Sequence, residues 1–128
     1  MTSLINPQVL MASANATSMI RANGSVTTAT TTELIAKKGA NVRIGLISVI
    51  LCNTGSTNNV LVTLKSESNS IAYIYVPTET TAIASFGVEA PLWLNANEDL
   101  DWTTDAASTT MYITVHGIIG GDLSVTTA

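Results

Sequence analysis

Cysteine and histidine occur once each, as Cys52 and His116. A single thiol cannot pair within its own chain, so an internal disulfide framework is excluded. The usual zinc sites draw several ligands from Cys and His, and one chain of this composition cannot supply them. Charged residues are 11% of the 128 residues, against roughly 25% in an ordinary domain. Five Lys and Arg stand against nine Asp and Glu, a net charge of −4, which argues against the basic footprint of a nucleic-acid binder. No stretch reaches the roughly 20 apolar residues of a membrane helix, and the longest apolar segment, Val42 to Cys52, is broken by Arg43, Gly45 and Ser48. The first cation is Arg21, so the basic start of a secretory signal is missing and a soluble intracellular product is expected.

Threonine fills the space that charge leaves, at about one residue in six. It is β-branched and suits a half-exposed strand, so the composition favours β structure over a helical bundle. From Ser25 onward, strand-like runs alternate with turn signals. Strands are expected at Val26–Leu34, Val42–Cys52, Val60–Lys65, Ile71–Val76, Thr80–Phe86, Leu92–Leu94, Leu100–Thr104 and Thr110–Ile119. Lys37–Asn41, Asn53–Asn59, Ser66–Ser70 and Asp105–Ser108 read as turns or loops. No window of 11–18 residues shows a helical stripe. The fold class is therefore all-β, an antiparallel sandwich, expected as a jelly roll of about eight strands. Residues 25–128 are assigned to the sandwich and residues 1–24 to an extended N-terminal arm.

The expected core is Ile44, Leu46, Val62, Leu64, Leu100, Trp102, Ile113 and Val115. In Val42–Cys52, strict alternation puts Val42, Ile44, Leu46 and Ile50 on one face and Ile47, Val49 and Leu51 on the other. A strand apolar on both faces is covered on both, and a short chain would use a second copy for one of them. Self-association, most simply as a homotrimer, is the expectation. The five cations all precede Ser66 with Glu33 as their one acid, a local +4, and the eight later acids meet no cation, a local −8.

Chemistry-bearing groups are few. Asp99 and Asp101 sit at a spacing that puts both carboxylates on one side of a strand, but no EF-hand pattern surrounds them, and no metal is assigned. His116 falls beside Tyr112 and Thr114, opposite Met111, Ile113 and Val115, with no nucleophile motif such as G-x-S-x-G. Cys52 reads as a small buried hydrophobe. No catalytic or cofactor-binding residue and no cofactor is expected. The residues available for contact with other proteins are Leu4, Ile5, Val9, Leu10 and Met11 of the arm, and the cations Arg21, Lys37, Lys38 and Arg43.

The order T-T-A-T-T-T-E-L-I-A-K-K-G-A-N-V-R-I, an apolar strand, a Ser/Thr/Asn/Gly loop, V-x-V-x-L-K-S, then P-L-W-L-N-A-N-E-D-L-D-W-T-T and M-Y-I-T-V-H-G resembles small all-β structural proteins of tailed bacteriophages, capsid decoration (cement) proteins among them. The resemblance spans about residues 26–119 and is one of strand pattern. It implies a jelly-roll-like sandwich without catalysis that assembles as trimers on the outer capsid surface, made in the host cytoplasm and bridging major capsid subunits. Its partners would be other copies of itself and the major capsid protein, with no nucleic acid or membrane. Tail, fibre and baseplate modules share the pattern. A carbohydrate-binding module, using Trp93 with Asp99 and Asp101, is the alternative from another class.

Overall fold

The computed structural model describes residues 16–106 and 109–121. They form nine strands: β1 (Ala16–Val26), β2 (Thr31–Ile35), β3 (Val42–Asn53), β4 (Val60–Ser66), β5 (Asn69–Val76), β6 (Thr80–Ser85), β7 (Leu92–Trp93), β8 (Leu100–Thr104) and β9 (Met111–Gly121). One sheet has the order β1-β9-β3-β6, with β7 also on β3, and the other has the order β2-β8-β4-β5. Every pairing is antiparallel. The chain is an all-β sandwich.

Period-2 alternation explains most of it. In β4, Val60, Val62 and Leu64 turn inward, and in β8, Leu100 and Trp102 do the same. The opposing sheet contributes Ile44, Leu46, Val49 and Leu51 from β3 and Met111, Ile113 and Val115 from β9. All eight residues expected in the core are buried.

Two expectations are corrected. The strict two-face split of β3 fails because the register shifts between Leu46 and Ser48, where β9 passes directly from Gly117 to His116. Ile47 is the extra residue of a bulge, and its carbonyl accepts the N–H groups of Phe86 at 2.7 Å and Gly87 at 3.2 Å. Beyond the bulge Val49 and Leu51 point inward with Ile44 and Leu46, while Ile50 and Cys52 point outward. Much of the apparent two-sided apolarity is this one inserted residue. Cys52 is half-buried on the outer face, level with Tyr112, and is not a core residue.

The second correction concerns the arm. Residues 16–24 belong to β1, paired with β9 from Ala16↔Gly120 to Val26↔Met111. The inward set Ile20, Ala22, Gly24 and Val26 is half-buried and dominated by small residues, which hides the period in the sequence. Leu4, Ile5, Val9, Leu10 and Met11 lie outside the described residues.

Two glycines permit close approaches beside the bulge, Gly45 on the outer side and Gly117 on the inner side, level with Leu46 and Ile20. A Cβ on Gly45 would stand 2.8 Å from the Trp93 ring, and one on Gly117 would stand 2.5 Å from the carbonyl oxygen of Gly45. Ile118 lies level with Gly45 and is buried there, outside the main core. The Gly117 contact is with backbone and cannot be relieved by a rotamer change. Gly117→Ala is therefore expected to destabilise the fold by about 1–3 kcal/mol through overpacking, and Ile113→Ala by about 2–5 kcal/mol through a cavity. Urea unfolding measures both, and a Gly117→Ala midpoint equal to that of the parent chain would contradict the close approach.

Candidate functional site

Three surfaces carry the side chains with chemical potential. The first is the outer face of the β2-β8-β4-β5 sheet. The register sets Glu33, Asp101 and Lys65 in one row across it, and Thr31, Thr103, Thr63 and Tyr73 in the next. Thr31 and Thr103 join their hydroxyls at 2.8 Å. Leu61 and Tyr75 form the following pair, and Tyr73 and Tyr75 are 66% and 58% exposed.

An acidic cluster closes one end of this face. Carboxylate oxygens of Glu33, Asp99 and Asp101 all lie within 4.8 Å of one another. Asp99 is held in place by the backbone around it. Its Oδ1 accepts the Lys37 N–H at 2.7 Å, and its carbonyl accepts the Glu67 N–H at 3.0 Å. The preceding loop is pinned as well, with the Leu94 and Asn97 N–H groups donated to the carbonyls of Ile44 and Val42. Buried Ser66 accepts the Asn95 N–H and donates to Glu98 Oε1.

Crowding of like charge sets the titration. Asp99 raises the pKa of Glu33, helped by desolvation and a hydrogen bond between the two carboxyls, with Lys37 opposing. Burial raises Asp101, followed by the charges of Asp99 and Glu67, with Lys65 opposing. The pair Lys37–Glu67 at 3.9 Å is exposed and contributes little. These three carboxylates are hard oxygen donors, but they supply only a fraction of the 6–8 ligands a Ca²⁺ ion takes. The sequence reading found Asp99 and Asp101 and missed Glu33, which only the β2–β8 register brings to them.

The second surface is the outer face of the β1-β9-β3-β6 sheet. Its rows run Arg21, His116, Ser48, Ser85, then Asn23, Thr114, Ile50, Ile83, then Ser25, Tyr112, Cys52, Thr81. Among the described residues, His116 shares its row with Arg21, Ser48 and Ser85. Ile83 and Tyr112 are exposed.

The third is a cleft of about 260 Å³ between the edge strands β1 and β2, with Ile20, Ala22, Leu34 and Ile35 as its apolar lining and Arg21 and Lys38 as its cations. Of the four cations expected to act together, the structure brings these two to one place. Lys37 donates its backbone N–H to Asp99 and turns its side chain to Glu67. Arg43 donates Nε–H to the Leu94 carbonyl at 2.9 Å and sets its guanidinium 5.6 Å from the centre of the Trp93 ring, so it fastens β7 to β3. Trp102 is buried and Trp93 half-buried, which removes both from any open stacking platform.

A raised carboxylate pKa means that the folded state keeps its proton to higher pH than the unfolded state. Stability from these groups is therefore present below the ordinary carboxylate range and declines as pH rises through the raised folded values. Asp99→Asn keeps the acceptor for Lys37 and removes the leading cause of the Glu33 shift. Its melting temperature relative to the parent should rise between pH 4 and pH 7, by differential scanning calorimetry. A difference independent of pH would contradict the charge crowding.

No protein-family model matches the chain, and no curated protein is similar to it in sequence. The fold does have counterparts among solved structures. A chain of the acid-stable capsid of Helicobacter pylori bacteriophage KHP30 superposes with a TM-score of 0.54 at 10% identity, over 80% of this chain and 89% of that one. A chain of the disulfide-linked pili that form Bacillus endospore appendages superposes with a TM-score of 0.50 at 14% identity, over 81% of this chain and 88% of that one. In both, about four-fifths of this chain and nearly nine-tenths of the other take part, so the likeness is one of fold.

Proposed function

We infer that the chain is a non-enzymatic structural protein of a tailed-phage virion, a decoration protein on the outer capsid surface that stabilises the head by bridging major capsid subunits. The observation that carries this reading is the likeness of fold to a phage capsid chain over 80% of this chain, with a TM-score of 0.54. The strand orders β1-β9-β3-β6 and β2-β8-β4-β5 support a jelly roll with β7 as an addition. A role in assembly is further supported by the surface. It is rich in Thr and poor in charge, and it exposes Met19, Ile83 and Tyr112 on one sheet and Tyr73 and Tyr75 on the other. Such groups gain from burial against other proteins.

The mechanism is linkage. A protein that binds the assembled shell and not its separated subunits stabilises the shell by its binding free energy. Occupancy at 100 times the dissociation constant adds about 2.7 kcal/mol per site. The proposed assembly is a homotrimer, which presents three equivalent contacts to the shell.

A second reading rests on the pair Tyr73 and Tyr75, exposed on the same sheet face as the acidic cluster. Exposed aromatic faces on a sheet that also carries carboxylates, across β4 from them, suit a glycan, so this would be a carbohydrate-binding face. It replaces the version built on Trp93.

Antibody against the purified chain, imaged by electron microscopy on virions that carry it, tests the main reading. Label at regular positions on the head is expected, with heads lacking the protein opening at lower temperature. Label confined to tails would give the tail, fibre or baseplate module in its place. Binding on a glycan array with no particle labelled would give the carbohydrate reading.

A further inference from the structure

The open side between β1 and β2 has the features of an acceptor for one more extended segment. Both are edge strands of their sheets, so each presents backbone N–H and C=O groups with no neighbouring strand. The lining residues Ile20, Ala22 and Leu34 pack directly on the main core and are only half-buried, so the core itself reaches the surface here. A Cβ at Gly24 would stand 3.0 Å from Leu34 and 3.9 Å from Trp102, which places the largest core ring just beneath this side. The volume, about 260 Å³, is below the roughly 300–1,000 Å³ of small-ligand pockets and suits a few apolar side chains. Arg21 and Lys38 line the cleft, and their side-chain donors match the carbonyls of an added strand.

The chain contains a segment of the complementary kind. Residues 1–15 hold Leu4, Ile5, Val9, Leu10 and Met11 and no charged side chain. They join β1 at Ala16, whereas the cleft is lined by residues 20–22 further along that strand. To enter its own cleft the segment would have to reverse tightly. Residues 8–19 contain neither Gly nor Pro and no Asn-Gly or Asp-Gly pair, the chemistry a tight reversal uses. Fifteen extended residues reach about 50 Å, and a domain of this size has a radius of gyration of about 13 Å, so a neighbouring copy is within range.

We propose that residues 1–15 of one copy dock as an extended strand in the β1–β2 cleft of a second copy, with Val9, Leu10 and Met11 supplying the apolar side chains that cover Ile20, Ala22 and Leu34. The contact is heterologous, donor on one copy and acceptor on the next, so it closes as a ring or continues as a filament. The contact stands independently of the virion reading, and only its closure at three copies rests on that reading.

Directed cross-linking of full-length chains tests it. In a Cys52→Ser background, one chain carries Leu10→Cys and another carries Ala36→Cys in the cleft, with Val9→Cys and Met11→Cys as register alternatives to the first. Mixed and oxidised, unlike chains should join in clear excess over like pairs. A full-length Val9→Asp, Leu10→Asp, Met11→Asp chain should keep its β circular dichroism and fall to the 13.3 kDa monomer in light scattering. No excess of unlike pairs at any of the three positions overturns the proposal. So does a chain carrying both substitutions that closes on itself at high dilution, because the cleft would then hold its own segment. Failure to label heads, with cross-linking intact, would remove the virion reading and leave this contact standing.

Discussion

The β3–β9 ladder is the constraint on which the rest of the sandwich depends. It runs from Val42↔Gly121 to Asn53↔Met111 and joins the two longest strands that reach across the core. Its inner side supplies seven buried apolar residues, and beside the bulge its two backbones come so close that a Cβ on Gly117 would meet the carbonyl oxygen of Gly45. With this pair at the centre, β1 and β6 become the edges of one sheet, and the second sheet packs over the shared apolar layer with β2 and β5 at its edges. The bulge at Ile47 adjusts the ladder so that the strand's two halves present their apolar residues to the same side.

The distribution of polarity follows from that centre. With few charges available, the outer faces carry threonine, serine and tyrosine, which tolerate burial against another protein, and Thr31 and Thr103 join hydroxyls across β2 and β8. Three of the acids, Glu33, Asp99 and Asp101, are crowded at the β2–β8 end, where like charge raises the pKa of Glu33 and burial, followed by like charge, raises that of Asp101. The two open sides of the sandwich differ. Loop hydrogen bonds from Glu79 to Gly55 and from Thr78 to Asn59 tie down the β5–β6 connection, whereas an apolar cleft lies open between β1 and β2.

Much of the fold was legible because alternation is strong where inward residues are large. Val60, Val62 and Leu64 against Leu61, Thr63 and Lys65 leave little choice, and Met111, Ile113 and Val115 repeat the pattern. β1 was hidden because its inward residues include Ala22 and Gly24, whose contrast with Asn23 and Ser25 is slight. The face assignment within β3 failed past Leu46 because a single inserted residue reverses every later side chain, and alternation carries no sign of it. Cys52 followed that error from the core to the outer face. The acidic cluster needed a pairing between residues more than sixty positions apart, and Arg43 and Lys37 were separated from Arg21 and Lys38 by contacts with Trp93, Leu94 and Asp99 that only tertiary packing creates.

Native-state amide hydrogen exchange measures the central claim most directly. If the β3–β9 ladder holds the sandwich, the hydrogen-bonded amides of residues 48–53 and 111–116 exchange only through global unfolding, with one shared free energy equal to that from urea. Amides of β5 and β6 that face away from their sheets should exchange far earlier. Exchange from β3 and β9 as fast as from these edges, or at free energies well below the global value, would contradict the account.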